Sequence, residues 1–209
     1  MLTLFHSPLS RSTRIIALID EMGIRDQIEV RIVSIQRADG IQRADGTSGI
    51  DPANPHPEGK VPVLIHDGTI ITESGAIILY LTDLFPNTGM APLPGSARRG
   101  AYLTWLFWYG SVMEPVLTLA AAGIDHPYMT ANIRGVPEVT DRIAKGLGDK
   151  PYLLGDTYSA ADLLLHSPYA WFEDATPDIP AVRDWVSRCR SRPSAAKAMA
   201  ADSALMAAA

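Results

Sequence analysis

The pattern of apolar and polar positions changes character near residue 86. Before it, short apolar or alternating stretches typical of strands are interleaved with segments whose apolar residues recur every three to four positions, as in amphipathic helices. A Pro- and Gly-rich stretch over 86–95 predicts a linker, and beyond residue 96 the strand pattern disappears. The expected strands are 2–5, 30–35, 61–66 and 69–72, and the expected helices are 12–22, 74–85, 96–122, 127–147, 159–172 and 179–191.

This order predicts a small mixed α/β domain over 1–85, followed beyond the linker by an all-α domain over 96–209. The last residues are mostly alanine, which predicts a helical or frayed tail without chemistry. The hexapeptide IQRADG occurs at 35–40 and again at 41–46. A six-residue copy is too short for a structural repeat, so we interpret it as a duplication within a surface loop.

Composition and charge argue against several classes of protein and of binding partner. With 47% apolar and 20% charged residues, the 209-residue chain is neither disordered nor fibrous. The net charge is −5 and no block of Lys and Arg occurs, which predicts no nucleic-acid or anionic-membrane partner. No apolar run approaches a membrane span, and the N-terminus starts on a strand pattern rather than a leader, so we expect a cytoplasmic protein. One cysteine and five scattered histidines predict neither a disulfide nor a metal site.

The segment that most clearly indicates a binding site is GKVPVLIHDGTIITESGAI, residues 59–77. Pro62 stands early in a strand pattern, and a cis peptide there would turn the Val61 backbone outward to pair with an extended peptide. Glu73 and Ser74 open the next helix, where unpaired N–H groups bind a carboxylate and Glu73 can hold an ammonium. Together they predict a site for a short peptide with a free amino-acid end. Taken singly, each remains open to a plainer interpretation, a helix cap or an edge proline.

The same stretch resembles the glutathione-site signature of the cytosolic glutathione transferases. YLLGDTYSAADLLL (152–165) resembles a second family signature, in which Ser159 and Asp162 form a capping box, and WLFWYGSVMEPVL (105–117) is similar to the fourth-helix region of many bacterial members. The resemblance covers nearly the whole chain. It implies a thioredoxin-like N-terminal domain followed by an all-helical C-terminal domain, a homodimer, and glutathione as co-substrate without a metal.

The resemblance also implies roles for individual residues. Val61, before Pro62, would pair with the cysteinyl backbone of glutathione, and Glu73 and Ser74 would hold its γ-glutamyl end. Lys60 or His56 would meet the glycine carboxylate. An apolar acceptor pocket would draw on Leu9, Trp105, Trp108, Tyr109, Val112, Met113, Tyr169 and Phe172. The competing interpretation of this last set is a helical core, since apolar stripes at helical spacing usually face the core.

Glutathione must react as its thiolate, and a free thiol with a pKa near ~8.5 is only a few per cent ionised at pH 7. The segment HSPLSRSTR after the first strand offers serine hydroxyls and neither Tyr nor Cys. Subclasses of the family place the activating residue differently in this turn, so we rank Ser10 first, Ser7 second and Ser12 third. Each serine could instead cap the first helix. Arg11 could assist the thiolate electrostatically.

The expected activity is conjugation of glutathione to small hydrophobic electrophiles, as in detoxification. Glutathione-dependent peroxide reduction, isomerisation and dehalogenation remain open, because they share the same glutathione half-site. The absence of an active-site cysteine argues against thiol–disulfide chemistry. A non-catalytic interaction domain of the same fold is the alternative from another class, and failure to bind glutathione would favour it.

Overall fold

The computed structural model describes residues 1–36 and 50–207. Most of the duplicated IQRADG segment therefore lies outside the described residues, and its interpretation as a surface loop stays a prediction. The chain forms two compact units. The first comprises Met1–Leu81 and Pro193–Ala209, and the second comprises Thr82–Arg192.

A four-stranded mixed sheet forms the centre of the first unit. Its strands are β1 (Leu2–His6), β2 (Ile28–Ile32), β3 (Val63–His66) and β4 (Thr69–Ile71), in the order β2-β1-β3-β4. The central strand β1 runs parallel to β2 and antiparallel to β3, and all five of its residues are buried. This is the predicted thioredoxin-like arrangement. The predicted second strand was placed too late, because the alternation over 30–35 continues past the last paired residue, Ile32.

The β3–β4 hairpin closes through Asp67 and Gly68, both with positive φ. Asp-Gly is a preferred pair for such a tight turn because Gly tolerates this backbone and Asp is less penalised than most residues. The hairpin was predicted from the same dipeptide, and the structure confirms it. It places β3, which follows Pro62, next to the central strand.

Among the described residues, three α-helices belong wholly or mainly to the first unit: α1 (Thr13–Glu21), α2 (Ser74–Leu84) and α9 (Pro193–Ala207). Helix α9 packs against α1, so the segment from residue 193 onward groups with the first unit. The sequence had predicted it as part of the helical domain, over 96–209. Its small side chains permit close approach, and Ala198 is buried. Two polar contacts also join these helices: the Ser194 hydroxyl donates a hydrogen bond to the Glu21 carboxylate, and Lys197 Nζ lies 3.4 Å from Asp20 Oδ1.

The described part of the second unit is helical. Helices α3 (Arg99–Trp108) and α4 (Glu114–Ala121) are joined without a break by a π-helical turn over Tyr109–Met113, which matches the single helix predicted there. The predicted helix 127–147 is instead two helices, α5 (Pro127–Ile133) and α6 (Val136–Leu147). Arg134 interrupts it with a φ of +69°, and Pro137, which lacks an N–H, is the second residue of the next helix.

Helices α7 (Ala160–Trp171) and α8 (Pro180–Arg190) complete this unit, and the carboxylate of Asp162 connects them. Asp162 has no solvent exposure. It accepts hydrogen bonds from the Ser159 backbone and hydroxyl, from the Leu153 N–H and from the Trp185 indole. Burial raises the pKa of Asp162, while these donors oppose the rise. The predicted capping box of Ser159 and Asp162 is confirmed. Asp162 also accepts hydrogen bonds from Leu153 and Trp185, which lie outside the capping box.

Among the described residues, no helix combines the length and apolar character that crossing a bilayer requires.

Candidate functional site

The loop after β1 brings the three candidate serines into one hydrogen-bonded group. The Ser10 hydroxyl lies 2.7 Å from the Ser12 hydroxyl and donates to the Ser7 carbonyl oxygen, also at 2.7 Å. Ser12 is fully buried and Ser7 is 4% exposed, whereas Ser10 is only partly buried. Ser10 is therefore the hydroxyl of the three that an incoming ligand could best reach. Ser12 is also the residue that precedes α1, although its side chain does not cap the helix.

Two residues that the sequence analysis did not single out complete this group. His6, the last residue of β1, places its Nδ1 2.7 Å from the Ser12 hydroxyl and its Nε2 2.9 Å from Asp202 Oδ1. Asp202, on α9, also accepts from the Leu9 N–H at 2.9 Å and from the Thr13 hydroxyl at 2.5 Å. Burial favours a higher pKa for Asp202, but its hydrogen bonds, above all the one with His6, hold that pKa below the usual aspartate range.

No sequence signal pointed to Asp202, because it stands alone in an alanine-rich tail some two hundred residues away in the chain. The loop after β1 that carries Ser7, Ser10 and Ser12, the serine loop, shows the effect of Asp202 at Leu9. This residue has a φ of +50°, a left-handed conformation that costs free energy for a residue with a Cβ. The hydrogen bond from its N–H to Asp202 helps to hold that conformation. Leu9 is half-buried, and its neighbour Arg11 is exposed.

The peptide bond between Val61 and Pro62 is cis, as predicted. Both residues are buried, and Val61 belongs to an apolar cluster with Phe5, Val33 and Val63. The side chain of Val61 thus packs with residues of β1 and β3. The preceding residue, Lys60, is also held by its backbone, because its carbonyl oxygen accepts a hydrogen bond from the Asn54 side chain at 3.1 Å.

Glu73 and Ser74 stand at the start of α2, as predicted. Ser74 is the first helical residue and is buried, while Glu73 is exposed. The Glu73 carbonyl accepts the Ile77 N–H at 2.9 Å, so Glu73 occupies the N-cap position. Its φ of +67° lies in the left-handed region, which is uncommon for glutamate. Strained backbone of this kind concentrates at functional sites, where the surrounding structure holds it in place.

Lys60, Glu73 and Arg11 share one electrostatic neighbourhood. The pKa of Lys60 is raised mainly by its ion pair with Glu58, and to a smaller extent by Glu73, whereas Arg11 lowers it. The two cations and the exposed Glu73 carboxylate are charges of the kinds that a carboxylate- and ammonium-bearing peptide requires. His56 has a local role, since its Nδ1 accepts the Glu58 N–H at 2.9 Å and shapes the loop before Lys60.

The predicted acceptor residues, Leu9 apart, all belong to the second unit. Trp105 and Trp108 pack edge to face at 5.4 Å, and the Arg142 guanidinium lies over both rings. Tyr109, Met113 and Tyr169 are almost completely buried, and burial raises the pKa of Tyr169. Val112 is half-buried, and Phe172 is 67% exposed. The acceptor pocket stays a prediction, and burial of the central members agrees with the core interpretation for them.

A substitution at Gly146 of α6 tests how tightly the side chain of Trp105 is packed. A Cβ added at Gly146 would lie 2.5 Å from the Trp105 ring, which itself packs against Trp108 and Arg142. We expect Gly146→Ala to lower the free energy of unfolding by about 1–3 kcal/mol, measured by denaturant titration. Gly100→Ala is the matched control, because a Cβ there meets nothing within 4 Å and should be neutral or stabilising. Equal stabilities of the two variants would contradict the tight packing.

The single cysteine, Cys189, is fully buried in α8. Burial chiefly, together with Asp162, raises the pKa of its thiol. A buried thiol of raised pKa is a poor nucleophile because the thiolate is the reactive form. Within residues 1–36 and 50–207, no three His, Cys, Asp or Glu side chains are grouped so as to hold a metal ion.

Comparison with known proteins places this architecture in one family. Residues 4–89 match the model of the glutathione S-transferase N-terminal domain, and residues 110–193 match that of the C-terminal domain. Among curated relatives, the disulfide-bond oxidoreductase YfcG of Escherichia coli is 27% identical, over 95% of this chain and 94% of its own. Glutathione S-transferase U25 of Arabidopsis thaliana is 30% identical, over 67% and 66% of the two chains.

Solved structures agree. A glutathione transferase from Methylococcus capsulatus superposes with a TM-score of 0.73 at 25% identity, covering 97% of this chain and 99% of that one. A sphingomonad glutathione S-transferase in complex with glutathione gives a TM-score of 0.72 at 26% identity, with 96% and 98% coverage. With both domain models matched in order and the fold shared along nearly its whole length, this chain belongs to the glutathione S-transferase family.

Proposed function

We propose that this protein is a glutathione transferase that activates glutathione through Ser10 and conjugates it to small hydrophobic electrophiles. The observation that carries the proposal is the position of the Ser10 hydroxyl. It is the most exposed hydroxyl of the loop after β1, and it already lies within a group of short hydrogen bonds. A hydroxyl held in this way is suited to donate a hydrogen bond to a sulfur anion.

The rest of the half-site accounts for binding. The Val61 backbone would pair with the cysteinyl residue of glutathione, and Ser74 with the helix start would hold the γ-glutamyl carboxylate. Glu73 would hold the γ-glutamyl ammonium. Lys60 or His56 would meet the glycine carboxylate, with Arg11 adding positive charge near the thiolate. The exposed ammonium of Lys60 fits this role better than His56, whose Nδ1 is engaged with the Glu58 N–H.

In the reaction, the thiol transfers its proton to a base, the sulfur lone pair forms a bond to the electrophilic carbon, and the leaving group departs with its bonding electrons. Catalysis then consists of holding the two reactants together and stabilising the thiolate. We further propose the homodimer and the cytoplasmic location that are typical of the family.

A second candidate reaction rests on the likeness to YfcG, which is named a disulfide-bond oxidoreductase. Here two glutathione molecules would reduce one disulfide to two thiols and leave as glutathione disulfide. The buried Cys189 has no part in such a reaction, so both sulfur nucleophiles would come from glutathione. Peroxide reduction by glutathione is a related alternative. Assays of purified protein with an aryl halide, a disulfide and a hydroperoxide would separate these reactions.

Calorimetric titration of glutathione tests the binding half of the proposal. Glu73→Gln removes the negative charge opposite the γ-glutamyl ammonium, and we expect the Kd to rise about tenfold. Glu29→Gln, at an exposed glutamate paired with Arg31 on β2, serves as control and should bind like the wild type. Absence of binding by the wild type in the millimolar range would refute the transferase proposal and favour a non-catalytic interaction domain.

A further inference from the structure

The buried pair of His6 and Asp202 is the strongest feature of the first unit that the proposed function does not yet use. Each residue is at most 2% exposed, and they come from opposite ends of the chain. Aspartate and histidine are rarely buried this deeply without a partner. The pair also contacts the serine loop, because His6 Nδ1 lies 2.7 Å from the Ser12 hydroxyl.

These contacts form one continuous chain of hydrogen bonds from α9 to Ser10. Its steps are Asp202 to His6 at 2.9 Å, His6 to Ser12 at 2.7 Å, and Ser12 to Ser10 at 2.7 Å. The inner members are buried, and only the last, Ser10, is partly exposed. The chain therefore connects a buried carboxylate to the hydroxyl that we propose meets the glutathione sulfur.

The direction of each hydrogen bond follows from Asp202. As a carboxylate it can only accept, so His6 carries its proton on Nε2 and leaves Nδ1 as an acceptor. The Ser12 hydroxyl then donates to Nδ1 and accepts from the Ser7 N–H at 3.1 Å. The Ser10 oxygen lies 2.7 Å from both the Ser7 carbonyl oxygen and the Ser12 hydroxyl, so its single proton can turn from the carbonyl to Ser12. With this order, the Ser10 proton faces inward and the Ser10 oxygen can accept the proton of a thiol.

We propose that His6, oriented by Asp202, is the base that receives the thiol proton of glutathione through Ser10 and Ser12. The S–H bond breaks and its electron pair stays on sulfur. Ser10 takes this proton and passes its own to Ser12, which passes its own to His6 Nδ1. The resulting imidazolium lies against the Asp202 carboxylate. This inference rests on the proposed function, since it assumes that glutathione binds beside Ser10.

The transfer also reverses the hydrogen bonds between His6 and Ser12 and between Ser12 and Ser10, whereas His6 Nε2–H donates to Asp202 throughout. His6 Nδ1–H now donates to Ser12, the Ser12 hydroxyl turns toward Ser10 or the Ser7 carbonyl, and the Ser10 hydroxyl is released to donate to the sulfur anion. The Ser7 carbonyl oxygen lies within reach of both hydroxyls, at 2.7 Å from Ser10 and 3.2 Å from Ser12. One rearrangement thus both removes the proton and supplies the donor that stabilises the thiolate. Asp202 acts as a positioning residue.

Asp202→Asn tests the proposal with almost no change in shape. The Leu9 N–H and the Thr13 hydroxyl both bond Oδ2, so the carbonyl oxygen of an asparagine would take that position. Its NH₂ group would then face His6 and force the His6 proton onto Nδ1, where no further proton can be accepted. Loss of the correct tautomer disables a comparable base in the serine proteases. We expect about a tenfold or larger fall in kcat at unchanged glutathione Kd, together with loss of thiolate absorbance at neutral pH.

Ser194→Ala is the matched control, because it also removes a hydrogen bond between α9 and α1 but is not part of the hydrogen-bond series from Asp202 to Ser10. It should keep the wild-type thiolate signal. An equal loss of thiolate in Ser194→Ala and Asp202→Asn would mean that docking of α9 alone matters, and would overturn the proposal. A wild-type thiolate signal in Asp202→Asn, with glutathione bound, would overturn it as well.

A double variant distinguishes a relay from two structural contributions. Ser12→Ala cuts the chain between His6 and Ser10, and should lower the thiolate signal by itself. Adding Asp202→Asn to Ser12→Ala should then cause little further loss, since residues acting in one unit are not additive. Fully additive losses would contradict the relay.

The wild-type protein separates failure of the relay from failure of the proposed function. If it binds glutathione without ionising it, the relay is wrong but the binding half-site is supported. If it binds no glutathione, the proposed function is wrong, and the relay with it.

Discussion

Replacing Ser10 by alanine is expected to leave glutathione bound but largely unionised at neutral pH. The substitution removes the hydroxyl that is the most exposed of the three in the loop after β1, while Val61, Glu73 and Ser74 remain in place. Binding measured by calorimetry should therefore change little. The ultraviolet absorbance of the thiolate, followed against pH in the presence of saturating glutathione, should move toward the titration of the free thiol.

The size of the effect follows from the ionisation of a thiol. A decrease of ~2 units from a pKa of ~8.5 raises the ionised fraction at pH 7 from about 3% to about 75%, at a free-energy gain of ~2.7 kcal/mol. Loss of one well-placed donor to a developing anion commonly costs 10²-fold or more. We expect kcat/KM of Ser10→Ala to fall by about 25- to 100-fold with a hydrophobic electrophile.

Ser7→Ala is the informative comparison, because Ser7 ranks second and is nearly buried. It should retain most of the thiolate signal, since the Ser7 group bonded to Ser10 is the backbone carbonyl, which the substitution keeps. A thiolate that survives in Ser10→Ala and disappears in Ser7→Ala would transfer the role to Ser7. Survival in both single variants would transfer it to Ser12.

Replacing Asp162 by alanine is expected to cost about 3–5 kcal/mol of unfolding free energy. The carboxylate is fully buried and accepts four hydrogen bonds, from two backbone N–H groups, one hydroxyl and one indole. Alanine would leave these donors buried without an acceptor, and each unsatisfied donor costs about 1–3 kcal/mol before the structure relaxes. Since whole domains are stable by only about 5–15 kcal/mol, the loss would be visible in denaturant titration and in soluble yield.

Glu138 provides a control in the same kind of motif. Its carboxylate accepts the Gly135 N–H at 3.0 Å at the start of α6, but in an exposed position. Water can replace that hydrogen bond, so Glu138→Ala should cost only about 0.5–1 kcal/mol. A similar cost for both variants would show that burial of Asp162 contributes little, contrary to our expectation.

Much of the local structure of the proposed glutathione half-site could be predicted from local sequence. Proline in a strand pattern indicated the cis bond at Pro62, and the Glu73–Ser74 pair before an apolar run indicated the start of α2; both are confirmed. These features depend on backbone preferences of a few neighbouring residues. The choice among Ser7, Ser10 and Ser12 could not be made in this way, because it depends on which hydroxyl the loop leaves accessible.

Local sequence was enough to predict most of the order of elements, the β3–β4 hairpin, the capping box at Asp162 and the resemblance to the glutathione transferases. Each of these is encoded within a few adjacent positions or in their periodicity. The packing of α9 against α1, which brings Asp202 to His6 and the serine loop, could not be predicted in this way and is seen only in the folded protein. An alanine-rich helix has no amphipathic pattern that would identify its partner, and a contact between residues 6 and 202 arises only when the folded chain brings its two ends together.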